Sequence, residues 1–198
     1  IASCLVGSEM CIRDRDLPFF IELLDILHDA GLPVPYALRT DSNEALRSLA
    51  GKPALLQPRL SGKHVRDVNA QHCHAVGELL ARIHLATRDH PLQRKSDRGL
   101  EWMLREGKVL ATHQTPDATQ LLNDTLAEIA ALQEQVRKLP RANLHADLFR
   151  DNCMFEGTHL SGVIDFYNAC SGPMLYDLAI TVNLSLIHIS EPTRQEAI

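Results

Sequence analysis

The stretch NLHADLFRDN, at positions 143–152, brings several polar side chains together directly after an apolar segment. Asp147 and Asn152 lie in this stretch, and Asp165 follows the apolar run GVI farther along the chain. Mg²⁺ takes a few carboxylate or amide oxygens together with phosphates and water. Phosphoryl transfer needs a bound metal, an in-line hydroxyl and an acceptor for its proton. These residue types therefore predict a phosphoryl-transfer site, with Asn152 and Asp165 as metal ligands and Asp147 as the free carboxylate.

The elements around this loop must bring Asp165 back to Asn152. Short apolar runs flank the turn-like segment EGTH at 156–159, which predicts a tight β-hairpin after the loop. Apolar residues at helical spacing predict helices over 17–30, 69–87, 99–107 and 117–137, and the start of another at 174. The expected buried face of the 117–137 helix consists of Leu121, Leu122, Leu126, Ile129 and Leu132.

The segment between the first two helices predicts a small antiparallel sheet. VPYALRT, at 34–40, is typical of a strand, and 44–60 predicts two more strands around a turn at Gly51-Lys52. The order of elements then predicts an α+β fold in two lobes, with a hinge near Gln57 to Gly62.

Composition excludes several functional classes. The formal net charge of −5 argues against nonspecific nucleic-acid binding, which needs a basic surface. No apolar run reaches the roughly 18 residues of a membrane span, so no membrane association is expected. The five cysteines form no CxxC pair, which argues against a zinc site or a disulfide framework and favours a reduced, cytoplasmic protein.

Structural alternatives exist for each of these residues. His, Asp and Asn are ordinary loop residues, so Asp147 could form an Asx turn and Asn152 could cap a strand. The run HCH at 72–74 suggests a metal site, but adjacent helix residues point about 100° apart, which favours a solvated or partly packed helix start. The remaining candidates are expected to be packing or surface residues: His84, Asp151, Cys153 and Cys170.

HADLFRDN, at 145–152, resembles the catalytic loop H-x-D-x-x-x-x-N of the aminoglycoside-phosphotransferase-like kinases, which share the protein-kinase fold. GELLARIH at 77–84 and GPMLYDLA at 172–179 are similar to two further segments of that family. A longer set of phrases, spread from Asp16 to Asn183, resembles bacterial homoserine kinases of this fold type. It comprises DLPFFIELLDILHDAGLPVP, GKPALLQPRLSGKHV, SDRGLEW, LPRANLHADLFRDN and IDFYNACSGPMLYDLAIT.

This resemblance implies a role for each matching position. Asp147 corresponds to the catalytic base that accepts the proton of the acceptor hydroxyl, and His145 to a residue that braces the loop. Asn152 and Asp165 correspond to the magnesium ligands. Asp177 corresponds to a helix carboxylate that caps backbone amides of the catalytic loop. The hinge residues Gln57, Pro58 and Arg59 would meet the adenine of ATP through their backbone.

The resemblance implies ATP and Mg²⁺ as cofactors and L-homoserine as the small-molecule substrate. Another small-molecule kinase of the same fold, acting on an aminoglycoside, choline or an amino alcohol, is the alternative. A non-catalytic fragment is a third possibility, because no glycine-rich phosphate loop precedes Asp16. Lys52 follows the first helix, too far along the chain to be the lysine that contacts the nucleotide phosphates in this family. For the same reason the chain as it stands is expected to be inactive.

The two ends differ from the rest in patterning. GSEMCIRDR at 7–15 and SLIHISEPTRQEAI at 185–198 resemble translated sequencing-adapter DNA. We therefore predict foreign flanks at 1–15 and 184–198, a remnant of the N-terminal lobe with the hinge at 16–60, and the core of the C-terminal catalytic lobe at 61–183. The fold is then expected to be incomplete at both ends. A divergent or truncated terminus is the alternative.

Overall fold

The computed structural model describes residues 14–89 and 91–183. The predicted flanks lie outside the described residues, except for Asp14 and Arg15 in a short 3-10 turn. Within the described part, six α-helices accompany six strands that form three two-stranded antiparallel sheets. This mixture confirms the predicted α+β class. None of the described helices combines the length and apolar character that a membrane span requires.

Helix α1 (Leu17–Asp29) begins with Pro18 in its first turn, where the missing amide proton is not needed. Its buried residues follow the helical period, and the chain turns away at Gly31, which has φ +74°. Strands β1 (Leu46–Leu49) and β2 (Lys52–Leu55) form the predicted hairpin, with Leu49 opposite Lys52.

The predicted strand at 34–40 is wrong, because this segment pairs with none of the described strands. Leu38 donates its amide to Leu56 O (2.8 Å), whereas the amides of Val34 and Tyr36 each bond to the carbonyl two residues earlier in the chain. Pro33 and Pro35 have no amide proton, so they cannot contribute donors to a regular ladder. The predicted extension of β2 to residue 60 is also wrong, since the strand ends at Leu55.

Helix α2 (Ala70–Thr87) carries the expected apolar stripe into the main core. Asn69 caps its first turn: Asn69 Oδ1 accepts the amides of Gln71 (3.0 Å) and His72 (3.1 Å), and His72 Nδ1 accepts the amide of Asn69 (3.1 Å). The stripe packs in one cluster with α1 and with the second half of the chain. The members from α2 are Val76, Leu79, Leu80 and Ile83.

The helical region after α2 differs from the prediction. Helix α3 (Leu100–Ala111) runs longer than expected, and the predicted 117–137 helix is interrupted at Leu132, giving α4 (Pro116–Ala131) and α5 (Gln133–Arg137). The predicted buried face of this helix is only partly correct: Leu122 and Ile129 are partly buried, but Leu132 is 48% exposed. Leu121 is 71% exposed, and Leu126 is the buried member, packed against Gly107 of α3.

The second half of the chain supplies the strands that carry the polar loop. Strands β3 (Arg141–Leu144) and β6 (Cys170–Pro173) pair antiparallel, with Leu144 opposite Cys170. The predicted hairpin is present as β4 (Cys153–Glu156) and β5 (His159–Val163). Helix α6 (Met174–Thr181) follows β6 directly.

The connector after β2 is fastened to this hairpin. Lys63 and Phe155 exchange two backbone hydrogen bonds of 2.9 Å, and Ser161 Oγ donates to Ser61 O (2.8 Å). Gly62 has φ +96°, and a Cβ there would overlap Ser161 Oγ and Phe155 O. The main core also extends from α1 through α2 to the hairpin, so the division into lobes at residue 60 stays a prediction.

We expect Gly62→Ala to destabilise the full-length protein by more than about 1 kcal/mol, because it adds a clash to the cost of a left-handed alanine. Gly51→Ala is the matched control, since Gly51 has φ +78° and its added Cβ would meet nothing within 4 Å. Urea unfolding measures both variants. Equal losses for the two would show that the close approach at Gly62 contributes nothing.

Candidate active site

Strand β3 is anchored at its end, immediately before the polar loop. The side chain of Asn143 donates to Leu92 O (2.7 Å) and accepts the Leu92 amide (2.8 Å), and its own amide donates to Thr87 Oγ1 (3.0 Å). Asn143 is fully buried, so these bonds replace the water that its polar atoms lose on folding. The C-terminal end of α2 thus fixes where the loop begins.

Asp177 on α6 holds the first two residues of the loop. Its Oδ2 accepts the amide of His145 (3.0 Å) and Nε2 of His84 (2.9 Å), while its Oδ1 accepts the amide of Ala146 (2.8 Å). The carboxylate has no solvent exposure, so these donors replace the water that it loses on folding. Ala146 has φ +61°, an unfavourable conformation for alanine that the bond to Asp177 helps to hold.

His145 links the loop to the end of the hairpin. It is fully buried, its Nε2 donates to Ile164 O (3.0 Å), and its ring packs on Phe166 with centroids 4.4 Å apart. Burial lowers the pKa of His145 below its ordinary value, although the negative charge of Asp177 opposes the shift. The neutral ring therefore carries its proton on Nε2, and the carbonyl contact sets this tautomer.

Asn152 closes the loop and joins it to the segment before Asp165. Its Nδ2 donates to the backbone oxygen of Asp147 (2.8 Å), and its backbone oxygen accepts the amide of Ile164 (3.0 Å). Asp165 follows Ile164 in the left-handed conformation, with φ +67°. Strand β5 ends at Val163, so Asp165 lies just beyond the strand that it was predicted to close.

Two carboxylates lie close enough to repel each other at this point. Burial raises the pKa of the Asp165 carboxyl, and the charge of Asp147 raises it further, while His145 and the amide of Tyr167 oppose the shift. A divalent cation would relieve this repulsion. Among the described residues, no three His, Cys, Asp or Glu side chains form a group that could hold a metal alone. Amide and carboxylate oxygens such as those of Asn152 and Asp165 are the ligand types of a hard cation that takes its other ligands from phosphates and water.

Asn168 is a site residue that the sequence did not reveal. Its Nδ2 donates to Oδ2 of Asp147 across 21 positions of sequence (2.9 Å). Asn168 ends the 3-10 turn Phe166–Asn168 that follows Asp165. Nothing in composition separates it from other loop asparagines, and only its place three positions after Asp165 could have suggested the contact.

The hinge residues are not part of this cluster of side chains. Gln57 is buried and donates its Nε2 to Pro35 O (2.6 Å), so its side chain supports the 34–40 segment. Pro58 is partly buried and Arg59 is exposed. A nucleotide contact in this segment would use its backbone, as the resemblance implies.

The other polar candidates have structural roles. His72 is buried in the helix cap described above, and its Nε2 lies 3.2 Å from Gly157 O, so it is more buried than predicted. His84 is the satisfied core histidine that the sequence predicts. Burial raises the pKa of Cys153 to about 12 and that of Cys170 to about 11, which makes both thiols poor nucleophiles at neutral pH.

An open depression of about 560 Å³ lies elsewhere, between α1 and the β1–β2 hairpin. Its lining includes Glu22, Asp25, Arg39 and Glu44, and it contains none of the residues predicted to do chemistry. An open surface of this kind, lined mainly by apolar atoms, lacks the convergent groups of a reaction site. The chemically consistent cluster is therefore the one around Asp147.

Comparisons with known proteins also point to phosphotransferases. The family model of the phosphotransferase enzyme family matches residues 12–197. A homoserine kinase of Pseudomonas aeruginosa is 66% identical over 169 residues, which cover 85% of this chain and 54% of the relative. A homoserine kinase of Methylobacillus flagellatus is 38% identical over 169 residues and is covered to 52%. The chain thus spans about half the length of the curated relatives it matches.

Solved structures show the same fold at low sequence identity. An amicoumacin kinase in complex with AMP-PNP and Ca²⁺ has a TM-score of 0.66 at 18% identity, with 91% of this chain and 56% of that chain covered. An aminoglycoside phosphotransferase from Alicyclobacillus acidocaldarius has a TM-score of 0.57 at 21% identity, with 85% and 57% covered. These neighbours confirm the predicted kinase-like fold class.

We expect Asp177→Asn to lower the free energy of unfolding of the full-length protein by about 2 kcal/mol, because the new amide group would face at least one buried donor. Asp151→Asn is the control: it removes a carboxylate in the same region, but Asp151 is exposed and forms only a 3.6 Å ion pair with Arg150. Urea unfolding compares the two variants. Equal stability would mean that Asp177 does not hold the loop.

We expect Asp165→Asn to stabilise the metal-free protein at neutral pH. The folded state keeps the Asp165 proton more tightly than the unfolded chain does, so the carboxyl favours folding when protonated, and that contribution is lost as pH rises through the raised folded-state pKa. Asparagine carries no charge at any pH, so the variant avoids the cost of the ionised Asp165 carboxylate in the folded state. The gain in free energy of unfolding must therefore shrink as pH falls toward the unfolded pKa value of 3.8.

Unfolding of Asp165→Asn in EDTA across this pH range measures the effect. Asparagine accepts the left-handed conformation as readily as aspartate does, so any backbone contribution is independent of pH. A gain that stays constant with pH would contradict the electrostatic explanation.

Proposed function

Because the chain belongs to the phosphotransferase enzyme family, we propose that it is part of an ATP-dependent homoserine kinase. Such an enzyme transfers the γ-phosphoryl group of ATP to the hydroxyl of L-homoserine and forms O-phospho-L-homoserine, a step of threonine biosynthesis in the cytoplasm. The observation that carries the proposal is the 66% identity to the Pseudomonas aeruginosa homoserine kinase over 85% of this chain. The proposal concerns the full-length protein, of which this chain corresponds to about half.

Asp147 is the proposed catalytic base. It lies in a loop whose start is held by Asp177 and whose end is closed by Asn152, so its backbone is fixed without using its carboxylate. The carboxylate can therefore accept the proton of the homoserine hydroxyl as the oxygen attacks phosphorus. His145 supports the loop from its buried position and does not touch the substrate in this mechanism.

Asn152 and Asp165 are the proposed ligands of Mg²⁺, which would neutralise charge on the transferring phosphates when ATP is bound. Burial raises the pKa of Asp165 and the charge of Asp147 raises it further, and a divalent cation bound there would favour the ionised carboxylate, which supports this assignment. The backbone of Gln57, Pro58 and Arg59 is the proposed adenine contact. It follows β2 and leads into the connector that is bonded to the β4–β5 hairpin.

Two alternatives remain distinct from this proposal. Another kinase of the same fold would act on an aminoglycoside, choline or an amino alcohol, and the fold alone does not separate these acceptors. A non-catalytic fragment would keep the fold without turnover. The high identity to a homoserine kinase favours the first proposal over both.

We expect the full-length protein to phosphorylate L-homoserine with ATP and Mg²⁺ at a higher kcat/KM than choline or an aminoglycoside. A coupled assay of ADP release, with mass spectrometry of the product, measures all acceptors under one condition. Preferred turnover of another acceptor would replace the substrate assignment. Absence of turnover with any acceptor would support a non-catalytic role.

We expect Asp147→Asn to lower kcat by about 10² to 10⁴, the usual range for loss of a positioned base. Asp151→Asn is the matched control, because it makes the same chemical change at an exposed position of the same region. KM for ATP should change little in either variant, since Asp147 does not hold the nucleotide in this mechanism. Wild-type turnover by Asp147→Asn would rule out Asp147 as the base.

A further inference from the structure

The carboxylate of Asp147 has one hydrogen-bond partner within the described parts of the chain. Asn168 Nδ2 donates to its Oδ2 at 2.9 Å, whereas the interaction with Asn152 uses the backbone oxygen of Asp147. A carboxylate on a loop can rotate about its last side-chain bond. A single hydrogen-bond donor to one carboxylate oxygen restricts this rotation, and the other oxygen then faces the substrate hydroxyl. The side chain of Asn168 therefore sets the orientation of the proposed base.

Asn168 extends from a rigid support. The amide of Ala169 donates to Phe166 O (2.8 Å), and Ala169 O accepts Nη1 of Arg94 (2.8 Å). Phe166 is buried against the His145 ring, and Ala169 is fully buried beside β6. Asn168 itself is exposed, so the protein holds its backbone firmly and presents its amide group at the surface of the site. This is the arrangement of a preorganised donor.

We propose that Asn168 is a positioning residue that orients the Asp147 carboxylate for proton transfer. Its amide donates to Oδ2 and leaves Oδ1 to receive the acceptor proton. The proton moves from the substrate hydroxyl to Oδ1 as the oxygen–phosphorus bond forms and the bond to the ADP leaving group breaks. This inference rests on the proposed function for its catalytic part, but the contact itself does not.

The structural alternative is that Asn168 only stabilises the 3-10 turn. The two readings predict different kinetics. If Asn168 is a positioning residue, its replacement changes kcat with little change in KM, and the size of this effect depends on the carboxylate of Asp147. If Asn168 only supports the turn, its replacement lowers stability and affects catalysis to the same extent whether or not Asp147 is present.

The test uses Asn168→Ala and the nearly isosteric Asn168→Asp in the full-length protein, with Asn123→Ala on exposed α4 as the matched control. We expect Asn168→Ala to lower kcat about tenfold with KM for homoserine unchanged, as for loss of a hydrogen bond to a charged group. Asn168→Asp should lose more, because it replaces the donor with a like charge. Asn123→Ala should match wild type.

A double-mutant cycle with Asp147→Asn decides between the readings. In the Asp147→Asn background we expect Asn168→Ala to change kcat less than twofold, because no base remains to orient. The same tenfold loss in both backgrounds, equal activity of Asn168→Ala and Asn168→Asp, or a drop in melting temperature that accounts for the loss would overturn the proposal.

A second measurement is independent of turnover. In the full-length protein, the side-chain amide NMR signals of Asn168 should move when Asp147 is replaced by Ala, while those of Asn123 should not. If wild type phosphorylates no acceptor, the proposed homoserine kinase function fails and the NMR measurement alone judges the contact. If wild type is active and the Asn168 signals do not move, the positioning role fails and the function stands.

Discussion

The buried carboxylate of Asp177 is the interaction on which the geometry of the site depends. It joins three parts of the chain that are far apart in sequence: α6, the end of α2 through His84, and the loop at His145 and Ala146. A buried ion of this kind is costly unless donors surround it. The three donors meet that requirement. Because they come from α2 and from the loop, their bonds to Asp177 fix the loop relative to α2 and α6.

The site also contains two residues in a conformation that L-amino acids usually avoid. Ala146 has φ +61° and directly precedes Asp147, the proposed base. Asp165 has φ +67° and is itself a proposed metal ligand. Left-handed residues other than glycine cost on the order of 1 kcal/mol each. The same hydrogen bonds that place Asp147 and Asp165 stabilise these turns, because His145 bridges the two segments through Ile164 O. Strain and positioning therefore arise from one network.

Local patterns in the sequence predicted much of the fold. The apolar period of α1 and α2 and the turn residues of both hairpins identify these elements, because each depends on neighbours in sequence. The strand at 34–40 could not be excluded by pattern alone, although its prolines explain the result. The buried face of α4 is narrower than predicted, because a helical period does not show how many elements the helix packs against. Helix α4 packs mainly on α3 along Gly107 and Leu126.

The site was predictable only where its residues share a motif. Asp147 and Asn152 are separated by a spacing that phosphoryl-transfer loops use, and Asp165 follows an apolar strand that the hairpin returns. Asn168 belongs to no such spacing, since its contact with Asp147 depends on the 3-10 turn after Asp165. Asp177 was placed by resemblance alone, because a contact across 31 or 32 positions leaves no local pattern.

The balance of charge connects this geometry to function. Within the site, the protein supplies hydrogen-bond donors to Asp177 and Asp147, and the amide of Tyr167 also bonds to Asp165. Burial and the nearby charge of Asp147 nevertheless raise the pKa of Asp165. A structure selected only for stability would pair or remove that carboxylate, because an unpaired buried acid opposes folding at neutral pH. Its presence is explained if the missing positive charge arrives with the substrate, as a divalent cation bound to nucleotide phosphates does. If Asp165 binds that cation, as proposed above, the free energy that the protein forgoes at this carboxylate would contribute to the affinity of the site for the cation.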